Sequence, residues 1–128
     1  MESSDPSFRR RLLMEALTVL AADVQIQVAW LVRHAVMTDE IALDFDHAFR
    51  MAEALVVEGQ LARGVMADLQ EIDVIFSGMS GGGIADRWTR DALSTDEGWA
   101  LARRLARQVL VAELGDWQQP LPGVSVIR

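Results

Sequence analysis

Val24-Gln25-Ile26-Gln27-Val28 decides between two folds. Read alone, its apolar and polar residues alternate with period two, the pattern of a half-buried strand. Read with its flanks, it belongs to a line of apolar residues at steps of three and four: Leu13, Leu17, Leu20, Val24, Val28, Leu31 and Ala35. That spacing lays one stripe down a helix, and the stripe crosses the pentapeptide with no phase break and no turn residue. Helix is the preferred assignment. Asp5-Pro6 starts it, an N-cap acceptor followed by a proline whose missing N–H does no harm in a first turn. One helix from about residue 6 to 36 is expected; a kink, or two shorter helices meeting near Asp23, is the alternative.

The same period continues downstream. Thr38-Asp39-Glu40 opens a second helix, with acids in the turn that faces the positive helix end, and Ile41, Phe45, Phe49 (with Ala48), Ala52 and Val56 form its apolar line up to Gly59. A third helix is expected from about Ala62 through Val65, Leu69, Ile72, Phe76 and Met79, ending at the Ser80-Gly81-Gly82-Gly83 loop. Ala85 to Leu93 reads as a short helix around Trp88. Ser94-Thr95-Asp96-Glu97 reads as a capping box, with Ser94 at the N-cap, opening a last helix through Trp99, Ala102, Leu105 (with Ala106) and Val109 to Gly115. The tail carries Pro120, Pro122 and Val124-Ser125-Val126-Ile127, and is expected to be extended, lying across the helices or pairing with another chain. The expectation is one all-α domain over 1–128, an antiparallel bundle of four to five helices. It has a disordered N-terminus at 1–5, a glycine-rich loop at 80–83 and an extended tail at 116–128.

Composition narrows the chemistry. The 128 residues include no Cys, Lys, Tyr or Asn, and all 12 basic residues are Arg. That excludes a disulfide framework, thiolate metal sites, cysteine nucleophiles, a P-loop lysine and Schiff-base chemistry. Lys, Asn and Tyr have AT-rich codons, while the chain holds 17 Ala and 12 Arg, so part of this exclusion reflects a GC-rich genome. No apolar run is long enough for a membrane span. Arg9-Arg10-Arg11 before apolar residues faintly resembles a signal peptide, but Glu15 and Asp23 interrupt the stretch. A cytoplasmic protein is expected, one that binds neither membrane nor nucleic acid, since a net charge of −7 repels phosphate.

Two motifs invite an enzymatic reading. Gly78-Met79-Ser80-Gly81-Gly82 matches a nucleophile elbow, but that motif needs a strand-to-helix turn and a later histidine, and both His34 and His47 come earlier. A flexible loop is the better assignment. Asp44 and His47 sit one turn apart with Glu40 a turn before, half of a helical carboxylate–histidine metal site. Glu40, Asp44, His47 and Glu71 would be its ligands, yet no second acid–histidine pair exists, and a solvated acidic helix face accounts for the residues more simply. No cofactor is expected. His34 fits the end of the first helix, where a cation meets the dipole favourably. Arg9 to Arg11 read as a solvated first turn. Trp88 and Trp99 are expected in the seam between the last two helices, and Trp117 partly exposed.

Charge location is the stronger signal. Between residues 39 and 73 lie Asp39, Glu40, Asp44, Asp46, Glu53, Glu58, Asp68, Glu71 and Asp73 against only Arg50 and Arg63, so this stretch carries the entire excess of −7. Such a field attracts a basic partner and speeds its association; solubility alone is the plainer account. Asp39-Glu40-Ile41-Ala42-Leu43-Asp44-Phe45-Asp46, with Arg87-Trp88-Thr89 through Ala92-Leu93 and Trp99, resembles small helical proteins of actinobacteria, compact and acidic in the style of toxin-neutralising immunity proteins. The resemblance spans roughly residues 38 to 110 and implies a class, with no functional residue to carry over. The expected function is a non-enzymatic module docking a basic protein through Asp39, Glu40, Asp44, Asp46, Asp68, Glu71 and Asp73. The alternatives are a metal-dependent hydrolase of a nucleotide or similar phosphate, and an oligomerising module in which the first helix or the tail forms a homodimer.

Overall fold

The computed structural model describes residues 6–79 and 87–123, and within them the only regular structure is helical. The elements are α1 (Pro6–Ala21), α2 (Val24–His34), α3 (Asp39–Phe49), α4 (Ala52–Val57), a 3-10 turn (Arg63–Val65), α5 (Met66–Met79), α6 (Arg90–Thr95) and α7 (Glu97–Leu114). No single helix among the described residues is long and apolar enough to cross a membrane. The expected termini at 1–5 and 124–128, and the Ser80–Gly83 loop with its Gly-x-Ser-x-Gly serine, lie outside the described residues. From Asp116 to Gly123 the tail has no regular structure.

The one long first helix is two. Its axis turns by 118° between α1 and α2, although neither glycine nor proline is present there. The cause is side-chain capping. A helix leaves its last four carbonyls without intrahelical partners. Gln27 Nε2 donates to Val19 O and Leu20 O at 3.1 and 2.9 Å, and Arg107 Nε donates to Ala21 O at 2.8 Å. Asp23 is extended at φ −60°, ψ 153°, and its carbonyl accepts the first bond of α2 from Gln27 N. Gln27 is fully buried, its Oε1 taking a bond from Arg103 Nη2 at 2.9 Å. The alternating pentapeptide is thus helical with one glutamine turned inward.

Helix ends account for the other added breaks. At the close of α2, Ala35 sits at φ 55° and Val36 N returns to Leu31 O, so Ala35 occupies the left-handed position that usually takes glycine rather than the apolar stripe. The second expected helix splits at Arg50-Met51, where Met51 N reaches Ala48 O, three residues back, instead of continuing the ladder. Gly59, at φ 76°, ends α4 as anticipated, with Gln60 N bonded to Leu55 O. The expected capping box is displaced by two residues. Asp96, not Ser94, caps α7 by accepting from Gly98 N at 2.7 Å, while Ser94 and Thr95 both donate back to Asp91 O inside α6.

Packing centres on α7, against which α1, α5 and α6 lie, with α3 joining α1 to α5. Leu13, Leu17 and Leu20 of α1, Leu69 and Ile72 of α5, and Trp99, Ala102, Ala106 and Val109 of α7 fill the core. Of the arginine cluster, Arg11 is exposed as expected but Arg9 and Arg10 are half-buried and held by partners. Arg9 binds both oxygens of Glu58, and Arg10 bridges Gln60 O and Glu113, whose other oxygen accepts from Ala62 N.

Replacing Gln27 by Met strands α1 carbonyls and a guanidinium, so a loss of about 2–4 kcal/mol is expected. Gln25→Met, on the exposed side, should stay within about 0.5 kcal/mol. Urea unfolding of both variants checks this contrast. Ala35→Gly should raise stability by roughly 0.5–1 kcal/mol, read as an upward shift of the same midpoint, by relieving the left-handed backbone.

Candidate functional site

The acidic segment does not fold into one surface. On α3, Asp44 and Asp46 are two residues apart, hence about 200° apart around the helix axis. Asp46 turns toward α5. There, with Asp73, it borders a slot of about 170 Å³ whose floor is Ala42, Phe45, Phe76 and Trp88. Leu43 also lines this slot and is 49% exposed, and Val74, beside Asp73, is 67% exposed. Asp44 instead faces a separate groove with His47 and Glu15.

The remaining predicted residues divide by exposure. Asp39 and Glu71 are exposed, Asp68 is half-buried, and Glu40 is only 8% exposed, so Glu40 presents little charge to a partner. Asp46 forms an i,i+4 ion pair with Arg50 at 2.9 Å. Among the described residues, Asp39, Glu53, Asp68, Glu71 and Asp73 make no ion pair. The carboxylates elsewhere behave differently: Asp23, Asp96 and Glu113 are each held by an arginine.

Glu40, Asp44, His47 and Glu71 do not assemble as a metal site. Among the described residues no three acids or histidines converge closely enough to hold an ion. His34 lies in the last turn of α2 as expected, its ring 5.1 Å from that of Trp30.

Aromatic packing builds the slot, a part of the site that sequence reasoning assigned only to core. Phe45 meets Phe76 edge-on at 6.0 Å, Phe76 lies 6.0 Å from Trp88, and Trp88 meets Trp99 nearly perpendicular at 5.7 Å. Trp88 and Trp99 do fill the seam between the last helices. Their position depends on Arg87, whose carbonyl accepts from Trp99 Nε1 at 2.9 Å while its guanidinium grips Asp96 through Nε at 2.6 Å and Nη2 at 3.0 Å. A Cβ on Gly98 would stand 2.8 Å from Arg87 Nη2 and 3.0 Å from Asp96 Oδ1, so a larger residue there would push the pair apart.

Compared with protein-family models, curated proteins and solved structures, the chain matches none.

The Arg87 hydrogen bonds hold the Asp96 carboxyl below its ordinary range, outweighing the opposing effect of burial, and the backbone N–H of Gly98 adds to the lowering. A carboxyl depressed in the folded state binds fewer protons than in the unfolded chain. Its stabilisation is therefore complete above the usual carboxylate range and is lost as the pH falls through the folded value. Asp96→Ala should cost about 1–3 kcal/mol at neutral pH, combining a lost N-cap with a lost ion pair. The gap between wild type and variant should shrink in urea titrations as the pH falls below the ordinary carboxylate range, because wild type then begins to protonate Asp96.

Proposed function

We propose that this chain is a non-enzymatic binding module that docks a basic protein on the face shared by α3 and α5, in the manner of a toxin-neutralising immunity protein. The observation that carries the reading is the slot itself. Two helices bring carboxylates, Asp46 and Asp73, to the border of an aromatic-floored hollow, with exposed Leu43 alongside. Protein interfaces use this combination: an apolar anchor supplies most of the binding energy, and charged groups around it set orientation and encounter rate.

Asp39 and Asp73, free of ion pairs within the described chain, extend a negative field outward, whereas Glu71, two residues from Asp73, lies about 200° away around α5 and off this face. A partner presenting arginine or lysine around an apolar or guanidinium-bearing side chain would complement both features. Guanidinium suits the slot well, because its plane stacks on aromatic faces and its fork pairs with carboxylate oxygens. In this scheme the module covers a basic active site, with no bond made or broken. Glu40 and Asp44 fall outside the docking surface, one for its burial and the other for its direction on α3.

The test pairs this chain with the polypeptide encoded by the adjacent reading frame and follows association by stopped flow. An Asp46→Arg/Asp73→Arg double variant should associate about tenfold or more slowly at low salt, with a flatter dependence on ionic strength. Failure of the two purified proteins to form a complex removes the immunity assignment. A complex whose association rate is indifferent to both salt and reversal removes the acidic docking face.

A further inference from the structure

We propose that the hollow between α2 and the tail is a binding site for a small organic anion, a carboxylate on an apolar body. The hollow has a volume of about 360 Å³ and shares no residue with the α3–α5 slot, so it does not depend on the docking function. Ile26, Ala29 and Trp30 of α2 make one wall, and Leu121 and Pro122 of the tail make the other. The tail is held there by the indole N–H of Trp30, which donates to Pro122 O at 2.9 Å. Ile26 and Leu121 are 44% and 40% exposed, apolar surface that a hydrocarbon or aromatic body would cover.

The polar lining decides the charge of the occupant. It consists of Gln25, Arg33 and His34, with no carboxylate among the described residues. Arg9, Arg10, Arg50, Arg87 and Arg107 are held in ion pairs, whereas the Arg33 side chain makes no hydrogen bond or ion pair among the described residues. A guanidinium is always charged and only donates, so its occupant must accept. Arg63 is also without an ion pair, but Glu53 lines the same hollow and offsets it. The sequence around the α2 hollow agrees: residues 24–38 and 117–128 hold none of the 19 acids, so the local charge opposes the overall −7. The C-terminal end of α2 carries about half a negative charge, less than one guanidinium, and its carbonyls Leu31 O and Val32 O are already bonded by Val36 N and Ala35 N. Ile26, Ala29 and Arg33, at steps of three and four, share one face of the helix. A carboxylate bound by the Arg33 fork, with His34 beside it, would therefore lay its apolar body back along α2 toward Ile26. Inorganic phosphate would satisfy the guanidinium but leave the apolar walls in water.

Titration of the full chain with 3-phenylpropanoate and with its neutral counterpart 3-phenylpropanol, by calorimetry and by the indole N–H resonance of Trp30, tests the assignment. The carboxylate should bind one-to-one with a dissociation constant of roughly a millimolar or tighter, and the alcohol at least about fivefold more weakly. Arg33→Gln should weaken the carboxylate by about fivefold or more and leave the alcohol unchanged. Ile26→Ser should weaken both ligands alike. Both side chains are exposed, so unfolding midpoints of the variants should stay close to that of the wild type. Equal binding of carboxylate and alcohol would show an apolar hollow without charge selection and overturns the proposal. So does carboxylate binding that survives Arg33→Gln or is indifferent to Ile26→Ser. Inorganic phosphate binding as tightly as 3-phenylpropanoate would reduce the site to a bare cation and overturns it as well. Absence of saturable binding by 3-phenylpropanoate and hexanoate alike overturns it too.

Discussion

The fold turns on the buried side chain of Gln27. Its amide nitrogen closes α1 by bonding two terminal carbonyls, and its amide oxygen receives Arg103 from α7. A charged side chain could not fill both roles at once, because the site needs donors toward α1 and an acceptor toward α7. Without this cap the apolar stripe would run straight on from Leu20 through Val24. With it the chain reverses, α2 crosses at 118°, and Trp30 is placed where the tail can lie against it. Arg103 continues the network to Leu93 O at 2.8 Å, tying α6 to the same point, and burial pushes its guanidinium below its ordinary range. Three segments therefore meet at one glutamine.

Arginine is the only cation available, and much of it is spent inside the fold. Arg9 and Arg10 secure α1 to the loop after α4 and to α7; Arg87 secures α7's first turn; Arg103 and Arg107 secure the α1–α2 reversal. Arg107 also lies 3.8 Å over the ring of Trp117, which anchors the start of the tail and leaves that indole half-buried. These guanidiniums reach main-chain carbonyls as well as carboxylates, which suits their several fixed donors. The acids of α3 and α5 have few such neighbours. The whole −7 sits in this segment, which holds nine acids and two arginines.

The all-helical class was legible because it rests on local periodicity: most residues of each predicted apolar line are buried, from Leu13 to Val109, while Val24, Val28, Phe49 and Val56 are half-buried and Ala35 is exposed. The break near Asp23 was legible only as an alternative, because two of the groups that fix it are distant. Arg103 and Arg107 act on residues 76 and 86 positions away in the sequence. Ser94 and Asp96 both suit an N-cap, and Asp96 takes the role where Arg87 also engages it. At the site, Asp46 and Asp73 were visible as charge but not as neighbours. Phe45, Phe76 and Trp88 carried a weak signal, since aromatic residues on an apolar line read equally as core. Leu43 offered the better clue, a large apolar residue between Asp39-Glu40 and Asp44-Asp46 but off the Ile41–Phe45 stripe.

The phase of α3 separates two kinds of electrostatics that net charge alone merges. Asp46 stands by a slot among outward-facing acids, where interaction is long-range, screened within about 10 Å at ordinary salt, and useful chiefly for steering. Asp44 lines an apolar groove, where less water intervenes and charges are less screened. Because both arise from one amphipathic helix, a shift of two residues along α3 moves a carboxylate from one face to the other. The acidic segment is consequently two surfaces with separate chemical demands, held apart by the buried line of Ile41, Phe45 and Ala48.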